Sequence, residues 1–155
     1  MSCDDSPSAC VVRRFASRDA DAIEAIAKRS PEAAQWSRES YAAMSDQGCR
    51  VWVAEAAGTP VGFLVARVTS REAEILNLAV DPANRRAGIG TALFNKALAE
   101  FRRLQATRVF VEVRESNAGA IQFYERHGFI CTGRRPGYYQ NPAEAAVLLT
   151  IKLTG

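Results

Sequence analysis

Arg85-Arg86-Ala87-Gly88-Ile89-Gly90-Thr91 stands between the end of one apolar run and the start of a long amphipathic one. Two glycines at such a junction let the backbone come close to a ligand. A helix beginning there offers unpaired N–H groups and a partial positive charge to an anion, and the two arginines add full charges. The set suits a phosphate or pyrophosphate. It is not a Walker loop, since no Gly-Lys-Ser/Thr follows, and it lacks the Gly-x-Gly-x-x-Gly of dinucleotide folds. A second feature is Glu112, between Val111 and Val113. A carboxylate in a β-branched run is either a salt bridge, here to Arg108 or Arg114, or a base held on a rigid element. A third is Asn117 and Tyr124 in Ser116-Asn-Ala-Gly-Ala-Ile-Gln-Phe-Tyr-Glu-Arg-His-Gly-Phe129. Ile121 and Tyr124 share a helix face. Taken singly, Asn117 reads as a helix cap and Tyr124 as a core residue.

Periodicity supplies the elements that must hold these groups. Cys10 to Phe15 reads as a strand. Ser17 is placed to cap the helix that follows, with Asp19 and Asp21 in its first turn and Ala22, Ile23, Ile26 and Ala27 on one stripe. A second helix starts near Ser37, after Trp36, with Tyr41 and Met44 on its apolar side. Val51–Glu55 and Val61–Val68 form a hairpin about the Ala57-Gly58-Thr59-Pro60 turn. Glu74–Val80 is a third strand of that group, stopped by Asp81-Pro82. A long helix runs from about Gly88 to Leu104, with Ile89, Leu93, Ala97, Phe101 and Leu104 on one face. Arg108–Arg114 is a strand, and Ser116 or Asn117 caps a short helix that stops at Gly128. Phe129–Cys131 begins a strand, residues 134–145 read as a loop, and Ala146–Leu153 closes the chain. The order β-α-α-β-β-β-α-β-α-β-β implies an α+β fold. Its sheet is mixed and mostly antiparallel, of six to seven strands, flanked by about four helices.

The chain has 155 residues, 48% apolar and 24% charged, with a formal charge of +3. That composition is globular. The length suits one domain, residues 10–155, behind a polar, disordered tail at 1–9. The longest apolar run is too short to span a membrane. Met1-Ser2-Cys3-Asp4-Asp5 is not a signal peptide. The expectation is a cytoplasmic protein, with Cys3, Cys10, Cys49 and Cys131 as reduced thiols. No Cys or His spacing suits a metal, and no cysteine stands in a nucleophile's setting. The charge is too mild to argue for direct nucleic-acid binding. Arg102, Arg103, Arg108, Arg134 and Arg135 read as a solvated basic face.

Taken together, the Glu74–Leu93 stretch and the Val109–Phe129 stretch resemble the GNAT superfamily of N-acetyltransferases. Within it the chain is most similar to the bacterial ribosomal-protein-alanine N-acetyltransferase branch. Glu-Val-Arg-x-Ser-Asn-x-x-Ala-Ile-x-x-Tyr matches Glu112 to Tyr124, and Trp36-Ser37 and Tyr138-Tyr139 also look like that branch. The resemblance implies acetyl-CoA as cosubstrate, a protein N-terminus as acceptor (a small-subunit ribosomal protein is one candidate), and no metal. It implies that Leu78, Ala79 and Val80 offer backbone groups to the pantetheine arm. Arg85, Arg86, Ala87, Gly88, Ile89, Gly90 and Thr91 would wrap the pyrophosphate, and Asn117 would hydrogen-bond the cofactor. Glu112 would be the general base, Tyr124 the general acid, and the Val80 N–H an oxyanion donor. Trp36, Tyr138 and Tyr139 would line the acceptor site. The chain departs from the branch at Gln35, where Pro is usual. It also departs in the 134–139 segment, which is one residue longer, and after Glu144, where Ala145-Ala146 replaces Asp-Ala.

The chemistry fits those residue types. An ammonium has no lone pair, so the acceptor must lose a proton before it attacks a thioester. A carboxylate can take that proton directly or through water. An N-terminal amine has a pKa near 8 and needs only modest help. Acetylation of a small amine, or acyl-CoA binding without turnover, are the alternatives.

Overall fold

The computed structural model describes residues 10–85 and 87–153. The expected tail at 1–9 lies outside the described residues. In chain order the elements are β1 (Cys10–Arg14), α1 (Ala20–Lys28), α2 (Arg38–Asp46), β2 (Arg50–Ala56), β3 (Thr59–Thr69) and β4 (Glu72–Val80). Then come α3 (Ile89–Arg103), β5 (Arg108–Arg114), α4 (Ala118–Arg126), β6 (Ile130–Tyr139) and β7 (Glu144–Lys152). The order agrees with the sequence reading, and the strands follow one another in a seven-stranded mixed sheet as β1-β2-β3-β4-β5-β7-β6. By internal contacts the chain divides into two compact units: residues 10–67 with 77–100, and 68–76 with 101–153.

In the first unit β1, β2 and β3 form an antiparallel meander. Val51–Ala54 and Val61–Ala66 are buried at nearly every position, as expected of strands covered on both faces. The β2–β3 turn is tighter than the sequence suggested. Ala57 and Gly58 both have positive φ and make a two-residue turn, so Thr59 and Pro60 already belong to β3. Helix α1 buries Ile23, Ile26 and Ala27. Its entry corrects the expected Ser17 cap. The chain comes in through a 3-10 turn, Ser17–Asp19, and Asp19 Oδ2 accepts the Ala16 N–H at 2.7 Å. The Arg13 guanidinium donates to both Asp19 oxygens, at 2.8 and 2.9 Å, and so fixes that carboxylate, which is only 3% exposed. Helix α2 starts as read, with Ser37 Oγ accepting from the Ser40 N–H.

In the second unit β4 pairs in parallel with β5 from Glu72↔Arg108 to Ile75↔Val111, and β5, β7 and β6 are antiparallel neighbours. The expected loop at 134–145 is overturned: β6 runs on to Tyr139, and only residues 140–143 turn back into β7. Pro136 and Gly137 lie within β6, which ends the strand order. An edge strand tolerates Pro, because the missing N–H can face outward. The irregular β6 register, shifted between Cys131 and Gly133 and between Arg135 and Tyr139, is why its alternation was illegible.

Candidate active site

In the first unit the candidate anion site is the start of α3. Gly88 has φ +78°, a left-handed backbone that favours glycine, and nothing stands within 4 Å of where its Cβ would be. Its carbonyl accepts the Ala92 N–H at 3.0 Å, which begins the helix. The N–H groups at the head of α3, beginning with Ile89 and Gly90, are the ones a helix start turns toward an anion. Ala87 and Gly88 are exposed. Arg86 lies outside the described residues. What seats the helix is Gly62 on β3. A Cβ there would lie 3.1 Å from the Ala79 carbonyl oxygen and 3.2 Å from both Ile89 Cγ2 and Leu93 Cδ1. Without it, the first turns of α3 settle onto the strands.

Arg85 does not extend freely. Its guanidinium donates to the Val80 carbonyl at 3.1 Å, to Ser30 Oγ at 3.1 Å and to Glu32 at 2.6 Å. Thus Val80, at the end of the Leu78-Ala79-Val80 segment, has its carbonyl engaged. Asn77, 6% exposed, makes a reciprocal pair with the Ala34 backbone, and Arg29 donates to Asp81 at 2.7 Å. The Arg29 guanidinium holds the Asp81 carboxyl below the ordinary range. Segment 29–35 is thereby pinned to the end of β4. Trp36, just beyond it, packs on Tyr41 with ring centroids 5.5 Å apart. The Tyr41 hydroxyl is buried, with the Asn77 side chain and the Trp36 backbone nearby, and closes no hydrogen bond among the described residues. Burial pushes that phenol up to about 12.

In the second unit Glu112 lies on the β5 face opposite Val111 and Val113, with its side chain 13% exposed. Neither expected ion-pair partner holds it: Arg108 pairs with Glu72, and Arg114 with Glu144. Glu112 is instead held by Arg135 of β6, whose Nε lies 3.0 Å from Oε2. Tyr139 donates its hydroxyl to the Glu112 carbonyl at 3.3 Å. The Tyr138 phenol faces the Glu112 carboxylate, and that contact, with some burial, raises its pKa. Glu112, Tyr138 and Tyr139 are therefore brought together, and Arg135 is the member that the sequence reading left on a basic face. Its place was hidden because residues 134–139 read as loop.

Asn117 is the cap of α4, with Oδ1 accepting the Ala120 N–H at 3.1 Å, which leaves its amide N–H₂ as the donor end. Two turns on, Tyr124 is 4% exposed and wedged between Phe123 and Phe129, at 5.2 and 5.1 Å between ring centroids. Its carbonyl accepts the N–H groups of His127 and Phe129 where Gly128, φ +96°, turns the chain out of the helix. Burial alone drives its phenol well above the ordinary tyrosine value, so it stays protonated throughout the neutral range. Cys10, Cys49 and Cys131 are free thiols. Among the described residues no cluster of His, Cys, Asp and Glu is placed to hold a metal, and no helix is long and apolar enough to cross a membrane.

Residues 18–129 match the Acetyltransferase (GNAT) family. The chain belongs to that family. This acetyltransferase is 32% identical over 123 residues to the [ribosomal protein bS18]-alanine N-acetyltransferase of Escherichia coli K12, covering 77% of this chain and 82% of the relative. The crystal structure of the Escherichia coli ribosomal-protein-S18-alanine N-acetyltransferase superposes with a TM-score of 0.83 at 28% identity, covering 94% of this chain and 96% of that one. The Ard1 structure from Thermoplasma volcanium gives a TM-score of 0.86 at 31% identity, over 95% and 99% of the two chains. The acetyltransferase assignment thus rests on sequence and fold together.

Proposed function

We propose that this acetyltransferase moves the acetyl group of acetyl-CoA to a protein N-terminal α-amine, with the alanine N-terminus of a ribosomal protein as acceptor. The carrying observation is Glu112: a carboxylate 13% exposed, fixed on a sheet, with the two tyrosines of the β6–β7 hairpin beside it. The activity named for the Escherichia coli relative supports an alanine N-terminus as the acceptor.

In this reading the N–H groups from Ile89 to Thr91 and the open backbone at Gly88 receive the pyrophosphate. The backbone of Leu78, Ala79 and Val80 runs beside the pantetheine arm, and the Asn117 amide donates to the cofactor. Glu112 takes the proton of the acceptor ammonium, directly or through water. The amine then attacks the thioester carbonyl, and the Val80 N–H donates to the oxyanion. Tyr124 serves the departing sulfur. Thiols ionise near 8.5 and a free phenol near 10. Burial raises Tyr124 further, so complete proton transfer is uphill at first, and a strong hydrogen bond to the thiolate is its main contribution. Trp36, Tyr138 and Tyr139 line the acceptor.

The experiment is acetyl transfer to short peptides beginning with alanine, read as thiol release, against a panel of polyamines and amino acids. Peptide acetylation that falls steeply in Glu112→Gln and Tyr124→Phe is the expected result. Full activity in both variants removes the assigned roles. Turnover on a small amine only, or tight CoA binding with turnover on nothing, replaces the acceptor.

A further inference from the structure

Each arginine of β5 and β6 has a carboxylate of its own, and three of the pairs are structural in geometry. Arg108 pairs with Glu72, Arg134 with Glu115 at 2.8 Å, and Arg114 with Glu144 at 3.1 Å. Arg114 also donates to the Gln140 and Pro142 carbonyls and lies 4.5 Å from the centroid of the Tyr139 ring. It is committed to holding the hairpin. The pair that includes Glu112 differs. The carboxylate is 13% exposed, while its partner Arg135 is 61% exposed, with Nε 3.0 Å from Oε2.

Register explains how Arg135 gets there. β5 and β6 are not neighbours; β7 lies between them. Arg114, Ala146 and Arg135 stand opposite one another in a row across the three strands, and Glu112 stands in the next row on the same face, opposite Leu148. Ala146 is small and fully buried, so the long Arg135 side chain can lie across β7 to Glu112. The guanidinium also lies against the exposed Tyr138 ring, its Cζ 5.3 Å from the centroid. An exposed arginine on a flexible stem gains little from one ion pair. A carboxylate this sheltered gains more from a cation of either origin.

We propose that Arg135 is an exchangeable counter-ion: it neutralises Glu112 while the acceptor is absent, and the acceptor's ammonium displaces it. The inference rests on the reading of Glu112 as the base that the acceptor amine reaches. The guanidinium repels an ammonium that approaches the Glu112 oxygen it faces, so the amine binds more tightly as the guanidinium leaves, and that oxygen then takes the proton. The exchange selects for acceptors that arrive as cations. An N-acetylated product has no ammonium and cannot hold Arg135 off, which favours product release.

The test is calorimetric binding of an alanine-initiated peptide, and of the same peptide N-acetylated, to the full chain at low and high salt. Wild type, Arg135→Gln, Arg135→Lys, Glu112→Gln and the double variant are compared. Arg135→Gln is expected to tighten the free-amine peptide roughly five- to tenfold at low salt, the scale of one close charge pair, and to leave the acetylated peptide within about twofold. Arg135→Lys should behave as wild type, and the gain should vanish in the Glu112→Gln background and shrink in high salt. Weaker or unchanged binding of the free amine in Arg135→Gln overturns the exchange, as does an equal change for both peptides. Turnover by Glu112→Gln in the same preparations judges the base separately: wild-type turnover sinks that reading, while the binding cycle still reports whether Arg135 competes with the amine.

Discussion

Each compact unit contains a sheltered carboxylate bound to an arginine, and the two pairs are built differently. Asp19 is 3% exposed; both its oxygens are held by Arg13, itself 24% exposed, and it also accepts the Ala16 N–H. Arg13 is further bound to Glu55 at 2.6 Å. Three hydrogen bonds fix that carboxylate at the entry to α1. Glu112 is 13% exposed and is paired with an arginine that is 61% exposed. Burial of both partners makes an ion pair part of the scaffold. Burial of the anion alone leaves it sheltered but available, which is what a base must be.

That contrast can be broken by exchanging the charges. Glu112→Gln should lower kcat for peptide acetylation by about 10²- to 10⁴-fold, the usual range for a lost general base, with little change in melting temperature. Asp19→Asn should do the reverse. Losing a charged acceptor of three hydrogen bonds costs about 2–3 kcal/mol, which lowers Tm by roughly 5–10 °C in a chain of this size and leaves kcat nearly unchanged. A calorimetric scan beside a kinetic assay of both variants decides it; an Asp19→Asn enzyme as stable as wild type would break the comparison.

The pH dependence sharpens it. Burial pushes the Asp19 carboxyl up, but the Arg13 guanidinium and the Ala16 N–H outweigh that and hold it below the ordinary value. Its contribution is therefore complete above about pH 4, where the unfolded carboxyl is ionised, and is lost as the pH falls through the lower folded value. The stability gap between wild type and Asp19→Asn should close on acidification over that window. At the other end, Tyr124 and Tyr41 both have raised folded values. Above pH ~10 the unfolded phenols ionise while the folded ones keep their protons, so stability falls by ~1.4 kcal/mol per pH unit for each. Tyr124→Phe and Tyr41→Phe should each remove one such slope in urea titrations. At neutral pH Tyr41→Phe should be the mildest change: removing a buried hydroxyl that closes no hydrogen bond is neutral, or stabilising by up to about 1 kcal/mol.

The candidate anion site and the proposed base differ in how far they could be read. The junction from Arg85 to Thr91 is contiguous, and its glycines, helix start and strand exit are local properties, so their type and place were legible in order. So was β5, with its unbroken β-branched alternation, while the α4 cap was narrowed to Ser116 or Asn117 and the structure places it at Asn117. Gly62 was not: it reads as one glycine in an apolar strand, and only the approach of Ile89 and Leu93 gives it a purpose. Ser17 looked like the cap of α1, but a carboxylate two residues on reaches the Ala16 N–H and brings Arg13 with it. The 134–139 segment was lost to its Pro and Gly, which signal a turn unless the strand is known to lie at an edge.

By itself the sequence determined the order of elements, the backbone chemistry at the head of α3 and the residue types available for proton transfer, because each is written in neighbouring residues. Tertiary structure alone decided the company Glu112 keeps. Arg135 is 23 positions away and joins it only because β7 inserts between their strands with an alanine at the crossing row. Sheet registry makes neighbours of residues that no local pattern connects.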